Sequence, residues 1–197
     1  MKYIIVGLGN PGPEYEKTRH NAGRIVAEIF RKKNNFAAFA YDKRMNALIS
    51  KGSLAKGKDV LVVMPETFMN KSGNSMKGVI SSAGELERTV IIHDDLDLSL
   101  DKIKVSYNKS SGGHKGVESV MRALGTEKFM RIRVGISPAD KKGRAKKPHG
   151  EDKINNYILK QLKADDLKLL EKQAKKSAEA VAAIIMEGKE KAMTDFN

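Results

Sequence analysis

The chain has no cysteine and no tryptophan among its 197 residues, and only five prolines. Without cysteine there are no disulfides, thiolate zinc sites, iron–sulfur clusters or cysteine nucleophiles, and a reducing compartment suits it. No apolar run approaches the roughly 18 residues that a membrane helix needs. The first one, Tyr3 to Val6, is too short for a signal peptide, so the expectation is a cytoplasmic protein without membrane contact. Acidic side chains are also in deficit, 24 against 37 basic ones, which gives a net charge of +13 and points to a polyanionic partner. The imbalance is steeper in the second half: residues 1–100 carry 15 basic and 11 acidic groups, residues 101–197 carry 22 and 13.

Apolar residues make up 40% of the chain, so disorder is excluded, and the length suits one domain over 1–197. Val- and Ile-rich runs at Tyr3 to Val6, Val60 to Met64 and Val90 to Ile92 are each followed by a turn and then helical periodicity, an α/β pattern. Arg44 to Lys51, Lys102 to Tyr107 and Met130 to Ile136 read as further strands. The expected architecture is a mixed, mostly parallel twisted sheet of about six strands with helices on both faces. Ala22, Ile25, Val26, Ile29 and Phe30 fall at helical spacing, with Asn21 as the expected N-cap. Another helix spans Gly116 to Leu124, and a C-terminal one runs from about 165 to 188, with Lys168, Lys172, Lys175 and Lys176 on its polar face. Residues 139–153 lack periodicity and carry Lys141, Lys142, Arg144, Lys146 and Lys147, which suggests a basic flap.

Five segments carry chemistry. Gly7-Leu8-Gly9-Asn10-Pro11-Gly12 follows the first strand and matches the dinucleotide-binding pattern G-x-G-x-x-G. Pro11 and Pro13 remove backbone donors, however, and Arg31, Lys32 and Lys33 stand where a ribose-binding acid belongs, so a structural tight turn competes with a nucleotide site. His20 precedes a helix whose dipole disfavours imidazolium, which suits a general base as well as a surface histidine. His93-Asp94-Asp95-Leu96-Asp97 supplies carboxylates for such a base, for a metal or for a solvated turn. Asn70 can donate to a carbonyl and accept from an amide, the pairing a peptide backbone offers, or it can cap a helix. Parallel strands ending at Val6, Met64 and Ile92 would bring Asn10, His20, Asn70 and Asp94 to one rim. Ser110 to Gly116 is a glycine-rich loop that could receive a phosphate, but it lacks the ending of a nucleotide P-loop.

Together these segments resemble the bacterial-type peptidyl-tRNA hydrolase family. The matching motifs are Val6 to Gly12, Thr18 to Gly23, Pro65 to Gly73, His93 to Asp97, Gly112-Gly113-His114 and Arg131 to Ile136, in order along nearly the whole chain. The resemblance implies metal-independent, cofactor-free hydrolysis of the ester between a peptide and the tRNA 3′ ribose, by a protein taken as a monomer. His20 would be the base and Asp94 its orienting acid, with Asn10 and Asn70 in the catalytic crevice. Tyr15, Phe68, Met69, Asn70, His114 and Lys115 would contact substrate, and Lys104, Lys109 and Arg133 would hold tRNA. Two departures stand out: Lys115 replaces the family's asparagine in Gly-Gly-His-Asn-Gly, and Ser106 replaces a basic residue often found after Lys104. The alternative from another class is a non-hydrolytic RNA-binding protein on the same fold.

Overall fold

The computed structural model describes all 197 residues. The chain opens with β1 (Lys2–Gly7), and a 3-10 turn at Arg19–Asn21 then leads into α1 (Ala22–Lys33). Strands β2 (Ala40–Asp42), β3 (Ala47–Ser53) and β4 (Asp59–Pro65) follow, then a second 3-10 turn at Met69–Lys71, α2 (Gly73–Val79) and α3 (Ala83–Glu87). Next come β5 (Thr89–Ser99), β6 (Ile103–Tyr107), α4 (Lys115–Leu124) and β7 (Met130–Ser137). The chain ends with α5 (Glu151–Leu159), α6 (Ala164–Glu187) and α7 (Lys189–Phe196). No helix is long and apolar enough to cross a membrane.

The strands form one sheet in the order β2-β3-β4-β1-β5-β7-β6. The inner four, β4, β1, β5 and β7, are parallel, whereas β3 and β6 pair antiparallel to their neighbours. The seventh strand missing from the sequence expectation is β2, three residues without alternation that become a strand only by pairing with β3 through Ala40–Ile49 to Asp42–Ala47. Alternate residues of the inner strands go to opposite faces. Ile5, Val62 and Val90 belong to the core that includes Val26 and Phe30 of α1 and Leu170 and Val181 of α6. Ile4, Val63 and Ile91 belong to the core under Met76 of α2 and Val120 of α4. Such two-sided burial explains why these strands read as continuous apolar runs.

Three boundaries differ from expectation. β5 does not stop at Ile92 but runs on to Ser99, because β7 pairs with it from Val90 through Asp95, so the acidic segment lies in a strand instead of a turn. Within 139–153, Ala139 bridges Ala145, Asp140 accepts from the amides of Lys142 and Arg144, and the last three residues already form the first turn of α5. Beyond Gly188, α7 packs along the edge strand, and the Asn197 Oδ1 accepts from the Val105 amide of β6.

Gly23 sets the position of α1. A Cβ there would stand 2.3 Å from the Ile92 carbonyl oxygen and 2.6 Å from that of Leu8, both backbone atoms that cannot swing away. The helix therefore rests directly on the backbone just past β1 and on Ile92 within β5. Gly23→Ala is expected to destabilise the fold by about 1–3 kcal/mol, the usual cost of overpacking, read from the denaturant midpoint. A change below about 0.5 kcal/mol, ordinary for surface positions, would show that this close approach does not hold the helix.

Candidate active site

Because β1, β4 and β5 are parallel and adjacent, their carboxyl ends share one rim, the usual ligand position of open α/β sheets. A cleft of about 370 Å³ opens there. Its walls are Phe68 to Asn70, the end of β5 from His93 to Asp97, the glycine-rich loop Ser111 to Lys115, and one side of α5. Asn10, His20, Asn70 and Asp94 all line it.

Asp94 is 3% exposed and accepts from two imidazoles. His20 Nδ1 lies 2.9 and 3.1 Å from its two oxygens, and His114 Nε2 lies 2.9 Å from Oδ1. Burial pushes the Asp94 carboxyl up, but His20 and His114 together outweigh it and hold the group well below the usual carboxylate range. A carboxylate can only accept, so His20 carries its proton on Nδ1 and its Nε2 lone pair is left for other work.

The tautomer of His114 follows from its other nitrogen. Nδ1 accepts from the amides of Gly116 and Val117 and so caps α4, which leaves the ring proton on Nε2, where it is donated to Asp94. The ligand-capable atoms of His20, Asp94 and His114 lie within 4.8 Å of one another, a spacing that could suggest a metal. Yet His114 could ligate through Nε2 only by surrendering that proton while two amides hold Nδ1 as an acceptor. The donor set suits a hydrogen-bonded cluster better than ligation. Gly112 and Gly113, with φ of 63° and 82°, let the loop bend so that His114 reaches inward.

Asn21, expected as an N-cap, makes no cap bond. Its Oδ1 accepts from the Asn10 amide and its Nδ2 donates to the Asn10 carbonyl, so it pins the turn after β1. Asn10 Oδ1 in turn accepts from the Met69 amide at 2.8 Å, which joins that turn to the wall of the cleft. The Asn10 Nδ2 and the whole Asn70 amide are left for a ligand. This pinned turn, with Pro11 in it, is occupied by protein contacts where a dinucleotide fingerprint would present free amides.

His93, which sequence reasoning did not single out as a site residue, is 1% exposed and donates from Nδ1 to the Asp94 carbonyl at 2.7 Å. Burial, with His114 and Arg131 nearby, pushes its imidazole far below the ordinary value, so it stays neutral. Also missed were Ile154, Asn155, Ile158 and Leu159 of α5, whose sequence carries no motif and which reach the cleft only through the fold.

The other expected site residues are spread around the mouth. Phe68 is 58% exposed and Tyr15 stands edge-on to it at 6.5 Å, without lining the cleft itself. Met69 is buried against Gly116, where a Cβ would collide with its sulfur. Lys115 lines the mouth, but its Nζ donates to Glu151 at the start of α5 at 3.0 Å. Lys104 and Arg133 are cross-strand partners on β6 and β7, with Lys104 exposed and Arg133 donating to Asp95. Lys109 is exposed, and its carbonyl accepts from the buried Arg131. These three bases lie outside the cleft.

Comparison with known proteins gives the same direction. The sequence model of the family described as Peptidyl-tRNA hydrolase matches residues 4–197. The peptidyl-tRNA hydrolase of Carboxydothermus hydrogenoformans is 38% identical over 196 residues, covering 99% of this chain and 98% of that protein. That of Thermotoga maritima is 36% identical over 197 residues, covering 98% and 96%. The crystal structure of peptidyl-tRNA hydrolase from Acinetobacter baumannii superposes with a TM-score of 0.85 at 26% identity, covering 99% of this chain and 94% of that one. With the fold, the sequence model and full-length relatives in agreement, the chain belongs to the peptidyl-tRNA hydrolase family.

Proposed function

We propose that this protein hydrolyses the ester joining a peptide to the 3′ ribose of tRNA, with His20 as general base. The observation that carries this reading is the His20–Asp94 pair, whose buried carboxylate holds Nδ1–H and leaves Nε2 free in the cleft. His20 Nε2 takes a proton from water as the oxygen attacks the ester carbonyl carbon. The tetrahedral intermediate then collapses, the bond from carbon to the ribose oxygen breaks, and that oxygen takes the proton back from the imidazolium. Asp94 stabilises the imidazolium while it exists. Asn10 and Asn70 hold the carbonyl and the peptide backbone, and Phe68 and Met69 pack against the peptide. The reading takes the protein as a monomer acting in the cytoplasm.

The tRNA backbone meets Lys104 and Lys109, while Arg133 begins half-neutralised by Asp95 and must exchange that partner for a phosphate. Phosphate and shape recognition of this kind accepts many tRNA sequences. Residues 139–153 serve as a cover beside the cleft, tied down by Lys147 to Asp97 and by Lys102 to the Gly143 carbonyl. An intact His20–Asp94 pair favours hydrolysis over RNA binding alone.

The test is release of peptide from an N-blocked aminoacyl-tRNA. His20→Ala is expected to lose about 10² to 10⁴ in turnover with tRNA affinity unchanged; equal turnover would remove His20 from its role. Lys104→Ala should weaken binding of all tRNAs alike and reduce the salt slope by about 1, and an unchanged slope would end the phosphate-contact assignment. The Lys115–Glu151 pair is exposed and contributes at most about 1 kcal/mol. Lys115→Asn is therefore expected to keep its stability and at least wild-type turnover, because an amide both donates and accepts at the cleft mouth; a fall in turnover would assign the lysine a positive part.

A further inference from the structure

We propose that His114 is a positioning residue that acts on His20 through Asp94 and does not itself take the substrate through its ring nitrogens. The proposal rests on the hydrolase reading and extends it to a side chain whose two nitrogens are both engaged inside the protein. Nδ1 accepts from the Gly116 and Val117 amides at 3.1 and 3.2 Å, and Nε2 donates to Asp94 Oδ1 at 2.9 Å. One ring thus ties the first turn of α4 to the acid of the base pair. The side chain is 8% exposed, so neither bond is traded readily for water.

The consequence for chemistry lies in how the Asp94 oxygens are shared. His20 Nδ1 reaches both of them, and the His114 proton occupies Oδ1 from the other side. With that donor in place the carboxylate cannot rotate away from His20, and the His20 ring keeps its Nε2 turned to the cleft. The His114 donor is itself fixed. Moving its proton to Nδ1 would set an N–H against the two helix amides, and flipping the ring would set a C–H there and turn Nε2 away from Asp94. The helix N-terminus therefore holds His114 in the one tautomer that can serve Asp94.

Two substitutions separate the roles. Asparagine places its Oδ1 near the position of Nδ1 and is a strong N-cap, so His114→Asn keeps the cap and loses the bond to Asp94. Glutamine places its amide nitrogen near the position of Nε2 and caps poorly, so His114→Gln keeps the bond and loses the cap. With N-blocked aminoacyl-tRNA, well below the melting transition, His114→Asn is expected to lose at least about tenfold in kcat with KM within about twofold, while the lost bond to a buried carboxylate lowers its melting temperature by about 3–8 °C. His114→Gln should melt about 2–4 °C lower and keep kcat within about threefold of the wild type. Retained kcat in His114→Asn, or turnover that only follows melting temperature in both variants, would overturn the proposal. A second measurement does not depend on either variant being active. In the wild-type protein, which has four histidines, the nitrogen-15 spectrum of the side chains should show His114 protonated on Nε2, assigned by the signal lost in His114→Asn. A proton on Nδ1 would overturn the proposal too. Absence of wild-type turnover would sink the hydrolase reading itself, which distinguishes the two failures.

Discussion

The buried carboxylate of Asp94 is the group on which the rest of the site depends. A lone carboxylate that is 3% exposed is costly, and it persists here because imidazole N–H groups from two other segments reach it. Those segments are the turn before α1 and the loop before α4, which lie on opposite faces of the sheet. Holding the acid ionised therefore also locks both faces to the end of β5. The fold and the proposed catalysis share this one cluster: two imidazole N–H groups hold the acid ionised, the acid fixes the tautomer of His20, and the α4 amides fix that of His114.

Backbone approach makes this convergence possible. Gly23 lets α1 rest against the carbonyls of Leu8 and Ile92, which brings His20 over the end of β5. Gly112 and Gly113 adopt positive φ so that the loop can turn His114 back toward Asp94. Asn21 and Asn10 complete the frame through paired bonds that join the turn after β1 to α1 and to Met69. The proposed mechanism then asks little of the protein beyond a placed base, a carboxylate and amides for a peptide backbone.

The basic surplus is distributed in keeping with a polyanionic substrate that meets the protein outside the cleft. Lys104 and Lys109 are exposed, while Arg133 and Lys115 are each engaged by an acid, Asp95 and Glu151. The basic residues proposed to meet tRNA, on and beside β6 and β7, and the cleft proposed for the ester are thus separated in space but share β5 and β7, since Asp95 of the cleft pairs with Arg133.

Much of this was legible from residue types alone. The Val and Ile runs declared the two-sided burial of the inner strands, the glycine spacing declared the turns, and the motifs from Gly7 to His114 carried the family and the activity. Local periodicity could not show β2, the continuation of β5 past Ile92, or α5 as a cleft wall, because each exists only through pairing or packing with distant residues. Nor could it show that Asn21 pins Asn10 instead of capping α1, or that Lys115 faces Glu151. Sequence by itself determined which chemical groups are available and their order along the chain; the tertiary structure decided where they meet and which proton each histidine holds, because hydrogen-bond partners come from segments far apart in the chain.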